Sequence, residues 1–166
     1  PAPKLAEITE EDFFDDMNTK VLGYIRCAQA VAPYMQQQGW GRIINLSGLA
    51  ARQSGNAVGS IRNVSVAALT KNMADELGPL GINVTVVHPG LTRTERTEGV
   101  IAEAAQRQGI TEAEAEERMA QGVSTRRIID AREIAHVIAF LASPKSIAIN
   151  GDAIAVAGGS GRAIHY

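Results

Sequence analysis

The sequence has a single cysteine, Cys27, so no disulfide can close within it and Cys-based metal frameworks are excluded. That residue is expected on the apolar face of a helix, as a small buried hydrophobe rather than a reactive thiol. His88, His136 and His165 are too scattered for metal-ligand spacing, and no metal is expected. No run of about 18 apolar residues occurs and no signal-peptide pattern opens the chain, so neither a membrane nor export is expected, and a cytoplasmic location follows. Sixteen Lys and Arg stand against eighteen Asp and Glu, with no dense basic tract, so nothing calls for nucleic acid. Internal repeats and low-complexity tracts are absent. Also missing before Gly41 is a glycine-rich turn of the kind that cradles a dinucleotide pyrophosphate. What remains is ordinary globular material: 166 residues, 45% apolar and 20% charged, enough for one domain over 1–166 with its own core.

The most informative stretch runs from Gly41 to Gly90. Ile43, Ile44 and Leu46 make a short apolar run over 42–46, ended by Ser47 and Gly48. A β-branched block, Val84, Val86 and Val87, marks a second strand over 83–88. Continuous apolar runs suit parallel strands covered on both faces. Between them Val64, Ala67, Ala68, Met73 and Leu77 recur at helical spacing, and Gly78-Pro79 is a stop signal. Strand, helix and parallel strand predict a βαβ unit, with ligands meeting the loops at the carboxyl ends of the strands. Those loops are 47–60 and 88–94.

Upstream, Thr9 and the acidic turn Glu10, Glu11, Asp12 predict a helix start. An apolar stripe of Met17, Val21, Tyr24/Ile25, Ala28, Val31/Ala32 and Met35 carries that helix to about Gln37, with Pro33 bending its end and Gly39-Trp40-Gly41 stopping it. Residues 1–8 read as an irregular lead-in. Downstream, Thr111 and Glu114 form a capping-box pair before a polar helix with few core anchors. Arg126-Arg127 reads as solvated surface or a salt-bridge pair. Asp130 and Glu133 open a further helix whose apolar face is Ile134, Val137, Ile138 and Leu141, and 153–156 reads as a strand before a flexible glycine-rich tail. The expected fold is α/β: a partial Rossmann-like parallel sheet of about three strands with about five flanking helices.

The segments G-R-I-I-N-L-S-G, A-A-L-T-K-N-M-A-D-E-L and I-N-V-T-V-V-H-P-G-L-T-R-T, in this order, resemble the second half of the short-chain dehydrogenase/reductase family. Asn18 in D-D-M-N-T-K-V-L-G and the closing I-N-G-D-A-I-A-V-A-G-G agree with it. The resemblance implies an oxidoreductase that transfers hydride between NAD or NADP and a carbonyl or alcohol. It implies that Pro89, Gly90 and Leu91 form the turn against the nicotinamide and that Thr94 bonds its carboxamide or the phosphates. The other reading of Pro-Gly is a tight turn closing a strand. Asn18 would make a helix kink and hold a proton-relay water, or serve as a structural asparagine. Thr97–Gln121 would be a substrate lid.

Two departures bear on function. The family's Tyr and Lys, four residues apart before an Ala-Ala-Leu run, fall here on Arg62 and Val66. The tyrosine supplies a proton to the carbonyl oxygen; the lysine lowers its pKa and holds the ribose. Arg62 is permanently charged and a poor proton donor, and Val66 has no hydrogen-bonding group on its side chain. The family's serine falls on Gly48, with Ser47 beside it as the fallback. The second departure is the absent phosphate-binding first half, so the sequence reads as a family half beginning at the fourth helix of that fold; the resemblance implies NAD or NADP as cofactor, and the missing half leaves open that none is bound. The helices 10–37 and 62–77 are expected to pack against their mates in a homo-oligomer, and the strand 42–46 to be open where the first half would pair.

Overall fold

The computed structural model describes residues 3–161. A lead-in with one turn at Leu5–Glu7 is followed by helix α1 (Glu10–Met17), a π-helical segment (Asn18–Leu22) and helix α2 (Gly23–Gln37). Strand β1 (Gly41–Leu46), helix α3 (Ala57–Leu77) and strand β2 (Ile82–Pro89) then form the expected crossover unit. After it come β3 (Thr92–Arg93), α4 (Glu95–Gln108), α5 (Glu112–Gln121), β4 (Ile129–Asp130), α6 (Ala131–Ala142) and β5 (Ala153–Val156).

The main sheet is parallel in the order β1-β2-β5. Gly41 pairs with Ile82 and Leu46 with Val87, while Val86 pairs with Ala153 and Pro89 with Val156, so the three carboxyl ends finish together. β3 and β4 add a separate two-residue parallel ladder that the sequence pattern was too short to reveal. β2 is buried at Ile82, Val84, Val86 and Val87, which explains its unbroken apolar run. On one face Ala28, Met73, Ala74, Ile82 and Val84 pack together; on the other Val87, Ile134 and Leu141 do. The one polar break in β1, Asn45, is buried and donates from Nδ2 to Thr70 Oγ1 at 2.9 Å; Thr70 in turn donates to the Val66 carbonyl. This chain of bonds ties β1 to α3.

The structure corrects four expectations. The first helix is not continuous: the π segment divides it at Asn18, where the ladder of i→i−4 bonds is interrupted. The helix nevertheless runs through Pro33 to Gln37. Cys27 is exposed, because among the described residues nothing packs over the face of α2 that carries it with Val31 and Tyr34. α5 is better anchored than its polar sequence suggested: Ala115 packs into a small core with Ile101, Ala104, Ala105 and Ile128. The start of the glycine-rich tail is held, not loose, since Gly158 O accepts from Thr125 N and Gly159 O from Ser124 Oγ. His165 and the rest of 162–166 lie outside the described residues.

Candidate functional site

The carboxyl ends of β1, β2 and β5 open onto a cavity of about 450 Å³. Gly48, Leu49, Ala50 and Gln53 wall it from the loop after β1, Pro89, Gly90 and Leu91 from the turn after β2, and Asn63 from α3. Met119, Gly122 and Val123 close it from the end of α5, and Ser160 and Gly161 from the tail. Among the described residues no charged side chain lines it. Its size lies in the range of small-molecule sites.

The turn after β2 has little room to vary. A Cβ built on Gly90 would lie 2.7 Å from Ala157 Cβ and 3.2 Å from Leu49 Cδ1, so glycine is demanded by close approach. Thr92 Oγ1 donates to the Gly90 carbonyl at 2.9 Å. Pro89, Gly90 and Leu91 therefore reach the cavity, whereas Thr94 sits at the start of α4, where its backbone N–H donates to Thr97 Oγ1. His88 is buried at the end of β2 and accepts from the Gly48 backbone N–H on Nδ1 at 3.3 Å, which pins the first loop to the second strand.

Beside the cavity, Arg62 is held by Asp16, its Nη1 donating to both carboxylate oxygens at 2.7 and 3.0 Å. Lys20 extends into the same place and donates to the Ser47 carbonyl and to Asn63 Oδ1, each at 3.4 Å. Burial and the neighbouring Arg62 charge hold the Lys20 ammonium below its usual pKa, with Asp16 opposing them. Tyr24 donates its hydroxyl to the Leu46 carbonyl at 2.7 Å; burial pushes its pKa up, partly offset by that bond and by Arg62. Val66, at the other substituted position, is fully buried in α3.

Of the residues singled out from sequence, Arg62 stands in this cluster and Ser47 next to it, but the Ser47 hydroxyl donates to the Asn63 carbonyl at 3.0 Å and does not line the cavity. Asn18 opens the π segment and accepts from Arg26 Nη2 at 2.7 Å on Oδ1. Asp16, Lys20, Tyr24 and Asn63 were not singled out. The spacing of four between the first three was a usable signal for one helix face, and Asn63 adjoins Arg62 in sequence.

A parallel α/β sheet with a cavity beyond the carboxyl ends of its strands is the arrangement of the Rossmann-like folds. The sequence model of the family described as enoyl-(acyl carrier protein) reductase matches residues 1–161. The chain belongs to the short-chain dehydrogenase/reductase family. It is 31% identical over 156 residues to the NADPH-dependent reductase BacG of Bacillus subtilis, covering 93% of this chain and 60% of that protein. With the 3-oxoacyl-(acyl-carrier-protein) reductase FabG of Vibrio cholerae it shares 32% over 157 residues, again 93% of this chain and 60% of the relative. The crystal structure of YwfH, an NADPH-dependent reductase involved in bacilysin biosynthesis, superposes with a TM-score of 0.88 at 28% identity, covering 99% of this chain and 65% of the other. L-Sorbose reductase from Gluconobacter frateurii shares the fold with a TM-score of 0.92 at 21% identity, covering 99% of this chain and 64% of that one. The chain thus spans about 60% of the length of the curated relatives it matches.

Proposed function

We propose that this chain has the build of an NAD(P)-dependent oxidoreductase but is inactive as one in the form of these 166 residues. The observation that carries the reading is the pair of substitutions at the family's proton-transfer positions: an Arg62 engaged with Asp16 and a Val66 sealed in the core. A guanidinium paired with a carboxylate is a poor acid at neutral pH, and loss of general acid-base assistance forfeits on the order of 10²- to 10⁴-fold in rate. The residues present fit one end of a nicotinamide coenzyme in that Pro89, Gly90 and Leu91 reach the cavity. Among the described residues no glycine-rich strand-to-helix turn offers a pyrophosphate cradle.

A second reading, a non-catalytic oligomerisation or binding module, draws support from the helices. Val31 and Tyr34 on α2 and Ile61 and Val64 on α3 are exposed, and Ile25, Ala28, Ala32, Leu69, Met73 and Leu77 border a groove between these helices. We infer a homo-oligomer through α1–α2 and α3, with neither nucleic acid nor membrane as partner; among the described residues no helix is long and apolar enough to cross a membrane. A cytoplasmic setting goes with this reading.

The test is a fluorescence titration of the chain with NADH and with NADPH. The expected result is no saturable micromolar binding of either. Micromolar binding would overturn inactivity through coenzyme loss and return weight to a catalytic role.

A further inference from the structure

Asn63 is 3% exposed and lies beside Arg62 on α3, yet it lines the cavity. Its side-chain oxygen accepts from Lys20 Nζ at 3.4 Å and from Arg62 Nε at 3.3 Å. Both partners can only donate, so Oδ1 must face them and Nδ2 must face the other way. On that side is Gly48: a Cβ built there would come within 3.2 Å of Asn63 Nδ2. The amide therefore stands over the spot that a side chain at position 48 would use. Among the described residues Nδ2 has no hydrogen-bond acceptor, whereas the backbone N–H of Gly48 is already given to His88. Nδ2 is not sealed off but opens to the cavity, where a ligand or water completes its hydrogen bonding.

The charges behind Asn63 select the ligand. Lys20 and Arg62 supply two positive charges and Asp16 returns one negative charge through its ion pair with Arg62. Among the described residues the cavity walls add no acid, and Gln53 and Ser160 offer further polar contacts. The surplus positive charge polarises the amide toward an incoming oxygen acceptor.

We propose that Asn63, through Nδ2 over Gly48, is the ligand-binding donor of this cavity and that its ligand is a small carboxylate. The inference rests on the family correspondence that puts a serine at position 48, but it requires neither coenzyme nor turnover. Glycine at 48 and asparagine at 63 then form one unit: loss of the side chain at 48 leaves the space in which the amide turns toward the ligand.

The test follows the side-chain amide resonances of Asn63 in ¹H–¹⁵N spectra of the full chain during titration with sodium acetate, sodium pyruvate and neutral acetamide. Acetate and pyruvate are expected to shift the Asn63 amide and the backbone amides of Gly48 and Gly90, with acetamide weaker by roughly tenfold or more. Asn63→Asp keeps the size and the contacts to Lys20 and Arg62 but replaces the donor by an acceptor, and should weaken acetate roughly 10- to 100-fold. Gly48→Ala, which crowds Nδ2 without touching the ion pairs, should weaken it in the same direction and guards against misfolding of the first variant. Unmoved Asn63 resonances, equal responses to acetate and acetamide, or wild-type acetate binding in Asn63→Asp would each overturn the assignment. Because no coenzyme is present, these outcomes are independent of the NADH and NADPH titration.

Discussion

Asn45 looked in the sequence like a flaw in an apolar strand, and its partner explains it. Thr70 accepts from Asn45 Nδ2 and donates to the Val66 carbonyl, so the buried amide donor and the buried hydroxyl are both paired. Thr70→Val is expected to leave Asn45 Nδ2 unpaired and cost about 1–3 kcal/mol in a urea unfolding series. An unchanged midpoint would show that water or a rotated amide replaces the bond. At the surface, Glu133 accepts from Arg127 and from the Asp130 backbone N–H, and these bonds hold its carboxyl down from about 4.5 to about 2. A lowered folded-state value means that the unfolded chain binds the proton first. The stabilisation is therefore complete above about 4.5 and is lost as pH falls toward about 2. A carbon-detected titration of Glu133 should find that low midpoint, and Arg127→Ala should move it back toward the ordinary value. Arg62 and Val66 were legible as substitutions because they sit at fixed spacing before Ala67-Ala68-Leu69. The partnership of Arg62 with Asp16 was not legible, since it joins residues far apart in sequence through a helix–helix contact.

At the scale of elements, strands with unbroken apolar or β-branched runs were readable: β5 was anticipated at 153–156 and β1 and β2 to within a residue at each end. Helix α6 announced itself through Asp130 and Glu133, whose capping box is formed. The π segment left no mark in the apolar stripe, because its residues keep the composition of an ordinary helix; only the family resemblance, through Asn18, implied an irregularity at the place where it begins. The two-residue β3–β4 ladder is likewise below the length at which a period of two can be seen. The α4–α5 pair is fastened by Ala115 and by the Arg93–Glu116 ion pair to β3. Ala115→Leu would force side chains apart in that small core and is expected to destabilise by about 1–3 kcal/mol. Hydrogen exchange should then quicken in 95–121 before it does in β2. Uniform quickening across both regions would mean that α4, α5 and the sheet open as one unit.

Across the whole molecule, one end of the sheet gathers the cavity while one side of the helical layer leaves Val31, Tyr34, Ile61 and Val64 in the open. Sedimentation at micromolar concentration is expected to give a dimer or larger, and Val64→Asp to shift it toward monomer. A wild-type monomer would remove the oligomerisation reading. The central claim is that a family scaffold persists here without the means to hand a proton to a carbonyl. Its most direct measurement is deuteride transfer: the chain is incubated with NADPH deuterated at the transferable position and a simple ketone at saturating concentrations, and the alcohol is analysed by mass spectrometry. No deuterated alcohol above the protein-free control is expected. Deuterated alcohol well above that control, lost in Arg62→Ala, would contradict it.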